Sequence, residues 1–247
     1  MASPVVLIAS QLLDGRLWAP QVEALGSRFE LIIADQTGHD TMASMASAIL
    51  AQAPDRISIV GHGMGGFIAL EALRQAPARI DRLVLMSTLA SADGPAQTAR
   101  REGYLRLVDG GRFDEVVEER LPMLLSPRRR SDEALVAAAR TMAAETGPEA
   151  FLRQQRAIMS RPDSRPGLGA IASPTLIVFG RQDGIVTLAH QQEIQAAIPG
   201  ARLEILEDCG HLLTLEQPTR VNALLAEWLG PISSPSAGSP GEAGEGG

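Results

Sequence analysis

Six short apolar runs, each five or six residues long, recur along this chain with longer amphipathic stretches between them. They are PVVLIA (4–9), FELIIA (29–34), RISIVG (56–61), RLVLMS (82–87), TLIVFG (175–180) and RLEIL (202–206). Near-continuous hydrophobicity over so short a length is what a strand needs when both of its faces are covered, and such strands belong to a parallel sheet. Helical spacing fills the intervals at 17–27, 42–53, 64–76, 188–198 and 218–229, the last with Val221, Leu224, Leu225 and Trp228 on one face. The alternation predicts an α/β fold: a mostly parallel, doubly wound sheet of about six strands joined by right-handed crossovers.

The alternation stops between 89 and 172. Four helices are expected there, at 97–109, 113–125, 132–145 and 149–160, punctuated by Gly110-Gly111, Ser126-Pro127 and Gly147-Pro148. This all-helical insertion reads as a lid (89–172) on a core formed by 1–88 and 173–230. Its apolar residues, among them Leu121, Leu124, Leu125, Phe151 and Ile158, serve packing, with a minority facing a substrate; Leu124 and Met159 are the two singled out for that role. Residues 231–247 are rich in Pro, Gly and Ser without apolar periodicity, and are expected to form a disordered tail.

Composition narrows the function. A hydrophobic fraction of 45% supports one sizeable core, and the net charge of −7 with a single short basic run, Arg128-Arg129-Arg130, argues against nucleic acid as a partner. Cys209 is the one cysteine, so a disulfide framework and a cysteine-based metal site are excluded, and a cytoplasmic setting fits. The opening stretch is apolar but lacks a basic flank and is closed by Asp14 and Arg16, so it reads as a buried strand and not as a signal peptide or membrane span. No cofactor or metal is expected.

Ligands of doubly wound sheets bind beyond the carboxyl ends of the strands. Gly61-His62-Gly63-Met64-Gly65-Gly66 stands at such a point, between a strand and a helix that starts at once. This is the geometry of a nucleophile elbow, in which G-x-S-x-G holds a serine on a sharp turn and small residues two before and two after give clearance. The helix N-terminus adds partial positive charge and a free amide at Met64. At the nucleophile's own position, however, stands Gly63.

With these segments the chain resembles the α/β-hydrolase superfamily, and within it the small esterases and lipase-like carboxylic ester hydrolases whose elbow reads G-H-S-M-G-G. Asp35 with TGHD (37–40), GRQD (180–183) and CGHLLTLEQP (209–218) resemble further family segments in the same order. The resemblance implies His211 as general base, Asp183 as the carboxylate that orients it, position 63 as the nucleophile, and an oxyanion hole made by the Met64 amide and that of Gln11, with Leu12 as an alternate. His62 and Leu12 are possible substrate contacts. His39 is read as a loop residue, His190 as solvated, Asp208 as a rival acid too close in sequence to reach the distal ring nitrogen, and Cys209 as a packed residue.

Two departures matter. Gly63 suits a strained elbow sterically but removes the hydroxyl, and three explanations stand: an exchange made to trap a substrate, a natural variant with lost or non-hydrolytic function, or hydrolysis by another nucleophile such as water activated by His211. The first-strand loop reads Ala9-Ser10-Gln11 where the family usually has His-Gly or Pro-Gly, and Ser10 is weighed as a turn former against a replacement nucleophile. The expected function is hydrolysis of a small ester or related acyl substrate on this scaffold, with binding and no turnover while Gly63 is in place, and with Gly63→Ser restoring chemistry. Carbon–carbon bond hydrolysis, lactone opening and a purely binding role are the alternatives. A monomer or a homodimer is expected.

Overall fold

The computed structural model describes residues 3–230, so the tail expected at 231–247 lies outside the described residues. Six strands form one sheet: β1 (Val5–Ile8), β2 (Leu31–Ile33), β3 (Ile57–His62), β4 (Ile80–Met86), β5 (Thr175–Gly180) and β6 (Arg202–Leu206). Their spatial order is β2-β1-β3-β4-β5-β6, and every pairing is parallel. The order reverses beside β1, which places the switch point between the loops that leave β1 and β3.

The crossovers run through α1 (Ala19–Leu25), α2 (Met42–Gln52) and α3 (Met64–Gln75), while α4 (Pro95–Asp109), α5 (Phe113–Leu124) and α6 (Glu133–Met159) lie between β4 and β5. Then follow α7 (Leu188–Ala197), the short α8 (Leu213–Glu216) and α9 (Pro218–Leu229). Local chemistry sets the starts: the Thr41 hydroxyl accepts from the Ser44 amide at 3.1 Å, and the Asp132 carboxylate from the Leu135 amide at 3.1 Å, each satisfying a donor that the first turn leaves free. The two helices expected at 132–145 and 149–160 are both present within α6, separated by a kink at Gly147, whose φ of 77° is non-helical and breaks the path just before Pro148.

Period-two alternation along each strand sends side chains to two separate cores. Val5 and Leu7 join Trp18, Leu13, Val60, Val84 and Leu225 on one face; Val6 and Ile8 join Ile49, Ile59, Ile68 and Leu85 on the other. The α4–α6 segment does not stand apart, because its Tyr104, Val116 and Phe151 belong to the first of these cores. Covering of both faces holds for β1, β3 and β5. It fails at the margins: β2 keeps Ile33 45% exposed and β6 is half-buried over most of its length, because an edge strand has helices and a neighbour on fewer sides. Among the described residues no helix is long and apolar enough to cross a membrane.

Candidate active site

The loops at the carboxyl edge of the sheet carry the strained backbone of the molecule. Every described non-glycine residue at positive φ lies there: Leu12 (63°) after β1, Ser87 (45°) after β4 and Asp208 (52°) after β6. Gly63, at φ 53° and ψ −112°, lies there too, after β3. Left-handed backbone costs a side-chain-bearing residue roughly 1–3 kcal/mol and persists where surrounding contacts over-determine it, which is typical of ligand sites.

The elbow is built by close approach. A side chain at Gly61 would press on the backbone of Gly65 and Gly66, and one at Gly65 would press on the carbonyls of Ile8 and Ala9, so α3 can rise from β3 against β1 only with these positions bare. The turn is then fixed by hydrogen bonds: Gly63 donates its amide to Met86 O at 2.9 Å, and its carbonyl accepts from Thr88 Oγ1 at 2.7 Å. The Met64 amide, first of the unpaired donors of α3, faces the site and reaches Ser10 Oγ at 3.4 Å.

From the other side of the sheet, β5 and β6 deliver Asp183 and His211. His211 Nδ1 donates to Asp183 Oδ2 at 2.8 Å, and both side chains are buried. Burial alone would raise the Asp183 carboxyl; the charge and hydrogen bond of His211 and the amides of Ile185 and Val186 outweigh it and hold the group below the usual carboxylate range. Asp183 Oδ1 takes those amides at 2.7 and 3.0 Å. With the proton held on Nδ1, the Nε2 lone pair is left free. It points to the elbow: a Cβ built on Gly63 would stand 3.1 Å from it. The imidazole can therefore take a proton from a group at that point.

Another group already fills that point. The hypothetical Cβ of residue 63 would overlap Ser10 Oγ and stand 2.9 Å from Ser10 Cβ. The hydroxyl absent from β3's turn is thus matched by a hydroxyl from β1's loop in nearly the same volume.

A small cavity of about 60 Å³ opens over this point. Ser10, Gly63, Met64 and His211 form its floor, and Met123, Ile158, Ile185 and Val186 give apolar walls. A third wall carries Gln97, Arg100 and Arg101 of α4 and Arg120 of α5. Arg101 Nε is 2.6 Å from Asp93, which Arg161 also approaches at 2.8 Å. Arg120 has no carboxylate within ion-pairing distance among the described residues; its guanidinium lies 5.7 Å from the centre of the Tyr104 ring, and burial, then the charge of Arg101, pushes its pKa down to about 10.

Of the residues expected from the sequence, Gly63, Met64, Gln11 and His211 line one cavity, with Asp183 behind His211. Leu12, His62, Leu124 and Met159 do not border it. The Leu12 amide is already given to Gln154 Oε1 at 3.2 Å, whereas Gln11 borders the cavity. Leu124 takes the amides of His211 and Leu212 on its carbonyl, so it positions the base loop by its backbone. His62 lies against His211, its Nε2 donating to the His211 carbonyl at 2.7 Å; burial, then the nearby charge of His211, pushes its pKa down to about 3, so it stays neutral. Asp208 is exposed beside Arg128, His39 is exposed, and His190 accepts the Thr187 amide at the start of α7. Burial, with the nearby Glu216 and Asp183 charges, raises the Cys209 thiol and keeps it protonated. The sequence reading missed Ser87, whose buried hydroxyl has no partner, and the arginine wall; Arg100 and Arg101 sit in a polar helical stretch that reads as a solvated face.

A parallel sheet with a sharp, glycine-cleared β3–α3 turn, facing a buried His–Asp pair across a small cavity, is the architecture of the α/β hydrolases. The chain belongs to the alpha/beta hydrolase family, whose pattern it matches over residues 5–224. It is similar to a relative from Serratia proteamaculans whose name proposes a carbamate hydrolase, RutD, with 26% identity covering 93% of this chain and 91% of that protein. It is also similar to the pimeloyl-[acyl-carrier protein] methyl ester esterase of Aliivibrio salmonicida, with 27% identity covering 85% of each chain. Among solved structures, a thermophilic esterase from Thermogutta terrifontis, studied with malate bound, superposes with a TM-score of 0.85 at 27% identity, covering 93% of this chain and 90% of that one.

Proposed function

We propose that the protein binds a small ester or related acyl compound in the cavity above Gly63, beneath α4–α6 acting as a lid, with His211 as base, Asp183 as its orienting acid and the Met64 and Gln11 amides as oxyanion donors. The observation that carries this reading is the buried His211–Asp183 pair, whose free Nε2 is aimed at the elbow. A buried acid–base pair maintained at 2.8 Å is of little use to a scaffold kept only for its shape. The ester and carbamate bonds named for the relatives are both acyl groups that such a site would polarise.

Position 63 supplies no nucleophile, so acylation at the elbow is lost and the leading reading is binding without turnover there. The site favours a variant adjusted at two positions over a lone exchange, because Ser10 occupies the volume that a serine side chain at position 63 needs. Gly63→Ser by itself, expected from the sequence to restore chemistry, is therefore blocked unless Ser10 yields. The paired change Ser10→Gly with Gly63→Ser clears the space. Nucleophile removal in triad enzymes costs several orders of magnitude, so the paired variant should hydrolyse p-nitrophenyl butyrate at least about 10³-fold faster than the parent chain. Equal rates for the two would overturn the esterase reading.

The same contact favours a second reading. Ser10 Oγ is buried, receives the Met64 amide and shares the space that His211 Nε2 faces, so it can act as a displaced nucleophile. Its proton would pass to Nε2 as Oγ bonds to the acyl carbon; the leaving alcohol would depart with that proton, and water would release the acid. Ser10→Ala separates the readings: it abolishes any parent activity if Ser10 is the nucleophile and changes nothing if the parent is inert.

A further inference from the structure

We propose that the arginine wall of the cavity, centred on Arg120 with Arg100 and Gln97, is a subsite for a carboxylate that the substrate carries in addition to its acyl group. The inference rests on the acyl-substrate reading above and names the substrate class: half-esters or similar monoacyl derivatives of dicarboxylic acids.

Three arginines border the cavity, and the carboxylate at hand, Asp93, is already shared between Arg101 and Arg161. Arg101 is further tied by Nη1 to Gln155 Oε1 at 3.0 Å, so it serves as a fixed strut. Arg120 is different. Glu119, its neighbour in sequence, is taken by the Tyr104 hydroxyl at 2.9 Å, and no carboxylate lies within ion-pairing distance of Arg120 or Arg100 among the described residues. Arg120 is half-buried, and a guanidinium partly removed from water without an anion carries a cost; it remains charged at neutral pH with its pKa near 10. The Tyr104 ring, its centre 5.7 Å from the guanidinium carbon, recovers part of that cost, and the forked N–H groups, which hold no hydrogen bond among the described residues, suit bidentate pairing.

The wall belongs to the same cavity as Gly63 and His211, so an anion seated there would hold the other end of its molecule over the elbow. Apolar Met123, Ile158, Ile185 and Val186 complete the lining, which suits the methylene chain between two carboxyl functions. A neutral ester would leave the guanidinium unpaired, so the site should discriminate by charge.

The test uses the full chain and the probes monomethyl glutarate, which keeps one carboxylate, and dimethyl glutarate, which has none. Calorimetry or ligand-observed NMR should give at least about tenfold tighter binding of the monoanion, a difference ordinary for a charged hydrogen-bonded pair. Arg120→Gln should reduce the preference to within about twofold, and Arg120→Lys should recover part of it. Equal affinities for the two probes, or a preference untouched by both Arg120→Gln and Arg100→Gln, would overturn the proposal. The outcome is separable from the failure of the esterase reading: the Ser10→Gly, Gly63→Ser variant hydrolyses p-nitrophenyl butyrate, a neutral ester, whether or not a carboxylate subsite exists.

Discussion

Position 63 shows how far single residues can be read from sequence. That a glycine stands where the hydroxyl belongs is evident from the elbow motif; that Ser10 fills the gap is not, because the two lie far apart in the chain and only the pairing of β1 with β3 brings them together. The His211–Asp183 pair was legible as two loop residues beyond two strands, whereas the depression of the Asp183 pKa against its burial required His211 first, and then the Ile185 and Val186 amides, to be in place. That depression sets a pH dependence. The folded pKa lies below the unfolded value of about 3.9, so the stabilisation by ionised Asp183 is complete well above pH 4 and is lost as pH falls through the folded value. Asp183→Asn should therefore lower Tm at pH 7 and converge toward the parent as pH drops below about 4. A Tm gap unchanged from pH 7 to pH 3 would contradict this.

Elements differ in how much of them the sequence carries. The six strands are legible because each is a short run in which nearly every side chain is apolar, and helix α9 because its apolar residues repeat at helical spacing. The break within α6 was legible as the Gly147-Pro148 turn between two helices, and Met142 before it and Phe151 after it pack into one core. The inward turn of α4's arginines was hidden, since a polar stretch facing a cavity has the same composition as one facing water. The β3–α3 turn makes its own prediction. Gly65→Ala would push a methyl into the backbone of Ile8 and Ala9, 3.0 Å or less away, where a strand in mid-sheet cannot retreat. Overpacking of this kind costs about 1–3 kcal/mol, read as a lower urea midpoint with an unchanged slope.

At the scale of the whole molecule, the parallel sheet puts the loops that follow its strands at one edge, and the chemistry follows from which residues each loop delivers there. The α4–α6 segment shares its core with the sheet face that holds Trp18, so it should unfold with the sheet. Phe151→Ala, which empties a fully buried site, should cost about 3–5 kcal/mol and shift tryptophan fluorescence and far-UV circular dichroism together. Loss of helix signal ahead of the fluorescence change would mark the segment as an independent unit. The central claim, a retained base and acid aimed at a vacated elbow, meets its most direct test in mass spectrometry after exposure to an uncharged alkyl fluorophosphonate. One covalent adduct is expected on the Ser10→Gly, Gly63→Ser variant, mapped to residue 63 and abolished by adding His211→Ala. No adduct on that folded variant would contradict it.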